Sequence, residues 1–364
     1  MSGVDRLGRL RERLREEELD SILISSPENR RYLSGFTGSA GYLLVSQDDA
    51  VLATDFRYVE QAAAQAPDFE IERIGGQSGW FLKLVDAQGV RRVGFESENL
   101  TVAMHSALEK ALSEDEGGIQ RELVAVADLA DRLRQIKDES ELELLTRAVE
   151  IADQAFETVA PGIRPGVTEQ EVSWKLEKEM RERGAEAIAF DIIVGAGPNG
   201  ALPHHRAGEK VIQDGEAVVI DMGATYQGYC SDLSRTIVMG EQDETFRRVY
   251  DTVLKAQLAS EQNVEPGMTG AECDAIARDV IAEEGYGDNF GHSLGHGIGI
   301  AVHEYPLVGP NAANELEDGM VFTIEPGIYL SGWGGVRIED MVVLENGKAR
   351  VLSKAHKRPQ VGSH

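Results

Sequence analysis

The chain has 364 residues, enough for two domains with sizeable cores at about 150 residues each, so a disulfide-bound miniprotein is excluded. Lys and Arg total 36 against 63 Asp and Glu, a formal charge of −27 spread along the whole length, which argues against nucleic acid as a partner. Cys230 and Cys273 stand far apart without a CxxC pattern, and no apolar stretch approaches the roughly 18 residues of a membrane-spanning helix. The expectation is a soluble cytoplasmic protein of a reducing compartment, with no membrane partner.

From the N-terminus, Leu7, Leu10, Leu14 and Leu19 form one stripe among Arg and Glu, predicting an amphipathic helix over residues 4 to 20. Strand patterns follow at 21–25, 41–46, 50–54, 69–74 and 91–95, with helical stretches near 57–65 and 102–112. This alternation predicts an α/β domain. Residues 113–118 read as an acidic surface loop, and Ala127 to Thr158 as a long helix broken at most once, near Asp138. The boundary is placed near 130, giving domains 1–130 and 131–364.

The second domain contains a diluted internal repeat. Pro165-Gly166-Val167-Thr168 with Glu171 matches Pro266-Gly267-Met268-Thr269 with Glu272 at an offset of 101, each a turn followed by a capping box. Asp214-Gly215 through Asp221 matches Asp318-Gly319 through Glu325 at an offset of 104. Two similar halves packed about a pseudo-twofold axis would bring strand-ending acids to the middle.

Asp221 ends an apolar run, and Gly228 offers the turn that folds it against Asp232 to Met239 as a hairpin. Glu325 and Glu339 repeat the arrangement, with Val336 to Val343 as the second strand. Carboxylates within such strands must be paired or bound to a cation, because an isolated buried one is too costly. Of eight histidines, His296 lies between glycines in Gly295-His296-Gly297-Ile298-Gly299 and is the best candidate nitrogen ligand. The set Asp221, Asp232, His296, Glu325 and Glu339 implies two divalent ions. Its oxygen-rich character suits Mn²⁺, Co²⁺ or Fe²⁺ and, less distinctively, Zn²⁺.

The strings Val219-Ile220-Asp221-Met222-Gly223, Ser231-Asp232-Leu233-Ser234-Arg235-Thr236, Leu294-Gly295-His296-Gly297, Thr323-Ile324-Glu325-Pro326-Gly327 and Val336-Arg337-Ile338-Glu339-Asp340 resemble the metallopeptidases of the pita-bread fold. The similar branch is that of aminopeptidase P and prolidase. Asn29 to Phe36 and Thr54 to Tyr58 resemble that branch's N-terminal domain. The resemblance implies an N-terminal creatinase/prolidase-like α/β domain followed by a pseudo-twofold pita-bread catalytic domain. It further implies that Asp221 chelates one ion, Asp232 and Glu339 bridge the pair, and His296 and Glu325 complete the other shell. The nucleophile would be a hydroxide bridging the two metal ions, with Glu325 shuttling its proton.

His204 and His303 match the family's substrate-side histidines, with His303 at the carbonyl oxygen and His204 near the leaving nitrogen. His292 is a weaker candidate for the same pocket. Arg337 is expected to orient metal-binding carboxylates. His205 is expected either there or simply exposed. The resemblance implies Xaa-Pro aminopeptidase activity on proline-containing peptides, most readily with Mn²⁺ and as a homodimer. Xaa-Pro dipeptidase is the alternative, weakened because Leu307 stands where many prolidase-like chains place an arginine. A creatinase or a non-catalytic binding module is disfavoured because no ligand is lost. Gly195-Ala196-Gly197-Pro198-Asn199-Gly200 fits a dinucleotide fingerprint, but Pro198 and Pro203 deny it the helix that such a site needs.

Overall fold

The computed structural model describes residues 5–76, 78–113 and 119–360. It contains two compact units, Met1–Arg134 and Gln135–His364. Among the described residues no helix is long and apolar enough to cross a membrane.

In the first unit, strands β1 (Ser21–Ile24), β2 (Tyr42–Ser46), β3 (Ala50–Thr54), β4 (Glu70–Arg73), β5 (Arg92–Glu96) and β6 (Glu122–Val126) form one sheet in the order β4-β3-β2-β1-β5-β6. The β2–β3 hairpin is antiparallel, while β1, β5 and β6 run parallel, as do β3 and β4. Helices α1 (Arg6–Glu16), α2 (Pro27–Ser34), α3 (Val59–Gln65), α4 (Gly79–Gln88) and α5 (Val102–Ser113) complete the α/β unit. Leu10 and Leu14 are the buried stripe of α1; Leu19 is buried too, but beyond the end of the helix. The predicted loop at 113–118 falls, apart from Ser113, outside the described residues.

The predicted helix over Ala127 to Thr158 is shorter. Only α6 (Asp131–Arg134) forms before α7 (Glu139–Val159). Asp138 stops continuation because it caps α7: its side chain accepts from the Glu141 N–H, and the Glu141 carboxylate accepts from the Asp138 N–H.

In the second unit, the repeat has a structural counterpart. Helices α8 (Glu169–Glu182) and α10 (Gly270–Glu283) each begin at a full capping box, on Thr168 and Thr269. The capping residues themselves pair with a distant chain segment, Thr168 with Val211 and Thr269 with Glu315. Short strands β7 (Ala187–Ile188), β8 (Ile193–Ala196), β9 (Ala217–Met222), β10 (Ala224–Tyr226), β11 (Tyr229–Cys230) and β12 (Leu233–Val238) belong to the first half. The second half has α9 (Glu244–Asn263), β13 (Gly295–Gly297), β14 (Glu304–Val308), β15 (Val321–Ile324), β16 (Gly327–Leu330), β17 (Gly334–Arg337), β18 (Asp340–Glu345) and β19 (Lys348–Val351).

Sheets β12-β9-β8 and β14-β13-β15-β18-β19 are the equivalent layers. Against the first, α7 and α8 bury Ile151, Phe156, Leu176 and Met180 beside Val194, Ile220 and Ile237. Against the second, α9 and α10 bury Val249, Val253, Ala277 and Ile281 beside Phe322, Ile324 and Val342. Two sheets, each backed by a helix pair, constitute the pita-bread arrangement. The dinucleotide-like glycines open only a five-residue 3₁₀ segment, Gly197–Ala201, and Gly200 packs backbone to backbone on Gly335.

Candidate metal centre

The antiparallel pair β9–β12 aligns Asp221 with Ser234, which places Asp221 at the end of one strand and Asp232 just before the other. In the second half, β15–β18 aligns Ile324 with Asp340, so Glu325 follows one strand and Glu339 precedes the other. The strand expected over Val336 to Val343 is therefore interrupted. Ile338 and Glu339 lie between β17 and β18, which belong to different sheets. The interruption has a cause in the facing half. Glu339 donates its N–H to Ser234 O at 3.0 Å, and Arg337 exchanges two hydrogen bonds with the Thr236 hydroxyl, each 3.0 Å. Backbone that would have continued a ladder is used to join the two halves at the acids.

His296 comes in on β13. Its N–H donates to Thr323 Oγ1 at 3.1 Å, and Leu294 O accepts from Glu325 N at 2.8 Å, tying histidine and glutamate together. A side chain on Gly295 would collide with the Thr323 carbonyl, and one on Gly297 with the Tyr305 carbonyl, so only glycine permits this approach. Nδ1 of His296 donates to Gly297 O at 3.0 Å, which leaves Nε2 as the bare nitrogen. That atom faces carboxylates, 3.4 Å from Glu325 Oε1 and 3.7 Å from Asp232 Oδ2.

Asp232, His296 and Glu339 present donor atoms all within 4.8 Å of one another. Asp221 and Glu325 lie outside that tight trio, but both raise the carboxyl of Asp232 and that of Glu339 by charge repulsion. Burial is the larger cause. It lifts Asp232 and Glu339 well above the carboxylate range and pushes Glu325 up to about 8, while it lowers His296 to about 4. Oδ1 of Asp221 and Oδ1 of Asp232 are buried without any hydrogen-bond partner. An unpaired buried acceptor costs about 1–3 kcal/mol, more when charged, so these oxygens need a cation. The residues fit a divalent metal. Four converging carboxylates and one neutral imidazole are costly alone and favourable around positive charge.

Around this centre, Arg337 donates from Nη2 to Asp221 Oδ2 at 2.6 Å, from Nε to Ser234 Oγ at 2.8 Å and from Nη1 to Tyr329 Oη at 2.8 Å. The chain continues through His292. Its Nδ1 donates to Ser293 O at 2.7 Å, so its Nε2 accepts from the Tyr329 hydroxyl at 2.9 Å. Burial accordingly lowers His292 to about 4, with Arg337, Arg278 and His204 adding to the effect. The His303 ring lies 4.1 Å from that of His296, and burial followed by the charge of His204 lowers it. His204 and His303 both remain exposed to solvent, as ligand-facing groups would be.

His205 is not simply exposed. Its Nε2 bonds the carboxylate of the fully buried Glu169 at 2.8 Å. Sequence reasoning passed over Glu169, Tyr329 and Lys137. Lys137 forms a buried 2.7 Å pair with Glu304, the residue after His303. Only the chain neighbourhood of His303 could have pointed to that pair.

Residues 143–346 match metallopeptidase family M24, and residues 6–136 match the creatinase/prolidase N-terminal domain. Xaa-Pro dipeptidase of Pyrococcus horikoshii is 38% identical over 94% of this chain and 95% of its own. Among solved structures, Xaa-Pro dipeptidase from Bacillus anthracis superposes with a TM-score of 0.93 at 44% identity, covering 98% of this chain and 99% of that one. X-Pro aminopeptidase from Thermotoga maritima gives 0.90 at 38% identity, with 98% and 100% covered. The convergent acids, the bare imidazole nitrogen and matches spanning both units make this chain a member of metallopeptidase family M24, with a creatinase/prolidase N-terminal domain.

Proposed function

We propose that this metallopeptidase hydrolyses Xaa-Pro bonds at the N-terminus of peptides, acting as an Xaa-Pro aminopeptidase with two divalent ions, Mn²⁺ first. The observation that carries the reading is the pair of partnerless buried oxygens on Asp221 and Asp232 beside the Asp232, His296 and Glu339 cluster. Proline as the second residue is drawn from the names of the similar proteins. In this reading Asp221, Asp232, His296, Glu325 and Glu339 would hold the two divalent ions. Bound there, such ions would make hydroxide available near neutral pH and polarise the scissile carbonyl.

The chain's own groups do the rest. Oε1 of Glu325 accepts from Thr323 Oγ1 at 3.2 Å, which leaves Oε2 to take up and release the proton. His303 donates to the carbonyl oxygen as it gains negative charge, and His204 borders the leaving nitrogen. Because His303 acts on charge that develops in the transition state, His303→Ala is expected to lower kcat about 10²- to 10³-fold with little change in KM. Steady-state kinetics checks this, and a rise in KM at unchanged kcat would remove His303 from that role.

A second reading, Xaa-Pro dipeptidase, is favoured by the names of the Pyrococcus horikoshii and Bacillus anthracis proteins. Against it stands Leu307, which pairs with His296 across β13–β14 and is 51% exposed, offering no charge to a free carboxylate. Leu307→Arg is expected to favour Ala-Pro over Ala-Pro-Ala about tenfold or more, since a desolvated charge-assisted pair is worth about 1.5–3 kcal/mol. The experiment that tests the reading is hydrolysis of these two peptides by the Mn²⁺-loaded wild type. Cleavage of both supports an aminopeptidase, cleavage of Ala-Pro alone establishes the dipeptidase, and cleavage of neither refutes both.

A further inference from the structure

Glu169 is the first residue of α8 and takes no part in its cap, which Thr168 and Glu171 provide. Its carboxylate is nonetheless fully buried and accepts four hydrogen bonds. Oε1 accepts from Ala196 N–H and from Asn199 Nδ2, both at 2.9 Å. Oε2 accepts from His205 Nε2 at 2.8 Å and from Gly208 N–H at 3.3 Å. Every one of these donors belongs to the segment 196–208, and they bracket His204 on both sides. Four donors satisfy a carboxylate that burial would otherwise make costly, and they fix a loop in return.

The opposite half shows that a loop at this place does not require a carboxylate. The repeat equivalent of Glu169 is Gly270, which holds its loop by close packing beneath Leu307 O. The 196–208 segment is also fixed on its other side, where Gly200 meets Gly335 two residues before Arg337. His204 itself has no side-chain hydrogen bond among the described residues, so its placement comes from the backbone and from its neighbour His205. A group that must meet a substrate, yet has no anchor of its own, depends on the segment that carries it.

We propose that Glu169, acting through His205, is the positioning residue for His204 and so sets the imidazole on the leaving-nitrogen side of the scissile bond. This rests on the Xaa-Pro reading only for the identity of the substrate. Neither residue touches the peptide. The device is a buried carboxylate that aims an exposed histidine.

The test uses full-length protein labelled with ¹⁵N-histidine, with His204→Ala assigning the ring signals. His205→Ala leaves Glu169 three of its four donors and is expected to fold. It should shift and broaden the His204 ring signal, leave that of His296, which the charge of His204 does not perturb, in place, and keep Mn²⁺ affinity by titration calorimetry within about twofold. Glu169→Gln is the second variant and should move the same signal. In kinetics on Ala-Pro-Ala, His205→Ala should lower kcat/KM about tenfold in the wild-type background and cause no further loss in the His204→Ala background. An unmoved His204 signal, or losses that multiply in the double variant, would overturn the proposal. A wild type that binds Mn²⁺ but cleaves no Xaa-Pro peptide would sink the substrate reading alone, because the ring signals still decide the positioning role.

Discussion

Asp232→Asn is expected to abolish hydrolysis and, in the metal-free protein, to raise thermal stability. The two effects have one origin. Asp232 is 5% exposed and stands among Asp221, Glu325 and Glu339, so burial first and mutual repulsion second oppose its ionisation. Without a cation that cost falls on the fold, and a neutral amide of the same shape removes it. With a cation the same carboxylate becomes an attraction, and losing it should weaken metal binding strongly. Wild-type protein at 100 times the dissociation constant should gain about 2.7 kcal/mol from the metal, whereas Asp232→Asn should gain little.

The pH dependence follows with a definite sign. Glu325 is pushed up to about 8, far above its usual range, so the neutral form is the one that suits the metal-free fold. A carboxyl raised on folding contributes stability that is complete below its unfolded value and is lost as pH rises through the folded value. Metal-free protein should therefore lose stability between about pH 5 and pH 8, and metal-loaded protein should not. Scanning calorimetry of both forms across that range checks the claim. A metal-free wild type more stable at pH 8 than at pH 5, or an Asp232→Asn variant that still gains stability from Mn²⁺, would contradict this account of the centre.

The repeat made much of this centre legible. A turn and capping box before α8 and α10, and an acid at the end of β9 and just after β15, are local signals, and local signals survive in sequence. Part of what escaped was decided by partners far along the chain. Helix α2 has no apolar stripe because it is held by polar bonds: Arg30 donates to Gly41 O and Gly38 O, and Asn29 to Glu96 and Asp131. Hydrophobic periodicity cannot register such a helix. The edge strand β6 is half exposed and carries too weak an alternation. The break at Ile338 and Glu339 was hidden for the same reason, since the bond from Glu339 N–H to Ser234 O spans about a hundred residues. Glu169 is written as one more helix-start acid, and only the fold reveals that its four donors come from the His204 segment.

Asp340→Ala is expected to destabilise the second unit by about 3–5 kcal/mol, the cost of leaving a buried charge without its partner. Asp340 directly follows Glu339, a proposed metal ligand, and is fully buried, as is Arg235, which pairs with its Oδ1 at 2.7 Å. Lys357 Nζ lies 2.6 Å from Oδ2, and Gln257 donates to the same oxygen at 2.8 Å. Burial alone would raise this carboxyl, but Arg235 and Lys357 outweigh it and hold it below the usual range. Its contribution is thus present at neutral pH and is lost as pH falls through the folded value. The neighbouring Glu261, 3.0 Å from Lys357 Nζ, goes the other way, pushed up to about 7 by burial first and by Asp340 next, so it is only about half ionised at neutral pH. In the variant Arg235 keeps its carbonyl acceptors, Ser234 O, Glu339 O and Ala355 O, yet its charge stays buried with no counter-ion in contact. Because one of those acceptors is the carbonyl of Glu339, slackening here should reach the proposed metal centre, and Mn²⁺ affinity should drop alongside stability. Denaturant unfolding of wild type and variant, with calorimetric Mn²⁺ titration of each, tests both halves. A loss below about 1 kcal/mol, the level of a solvent-exposed pair, would mean that Arg235 finds its charge balance elsewhere.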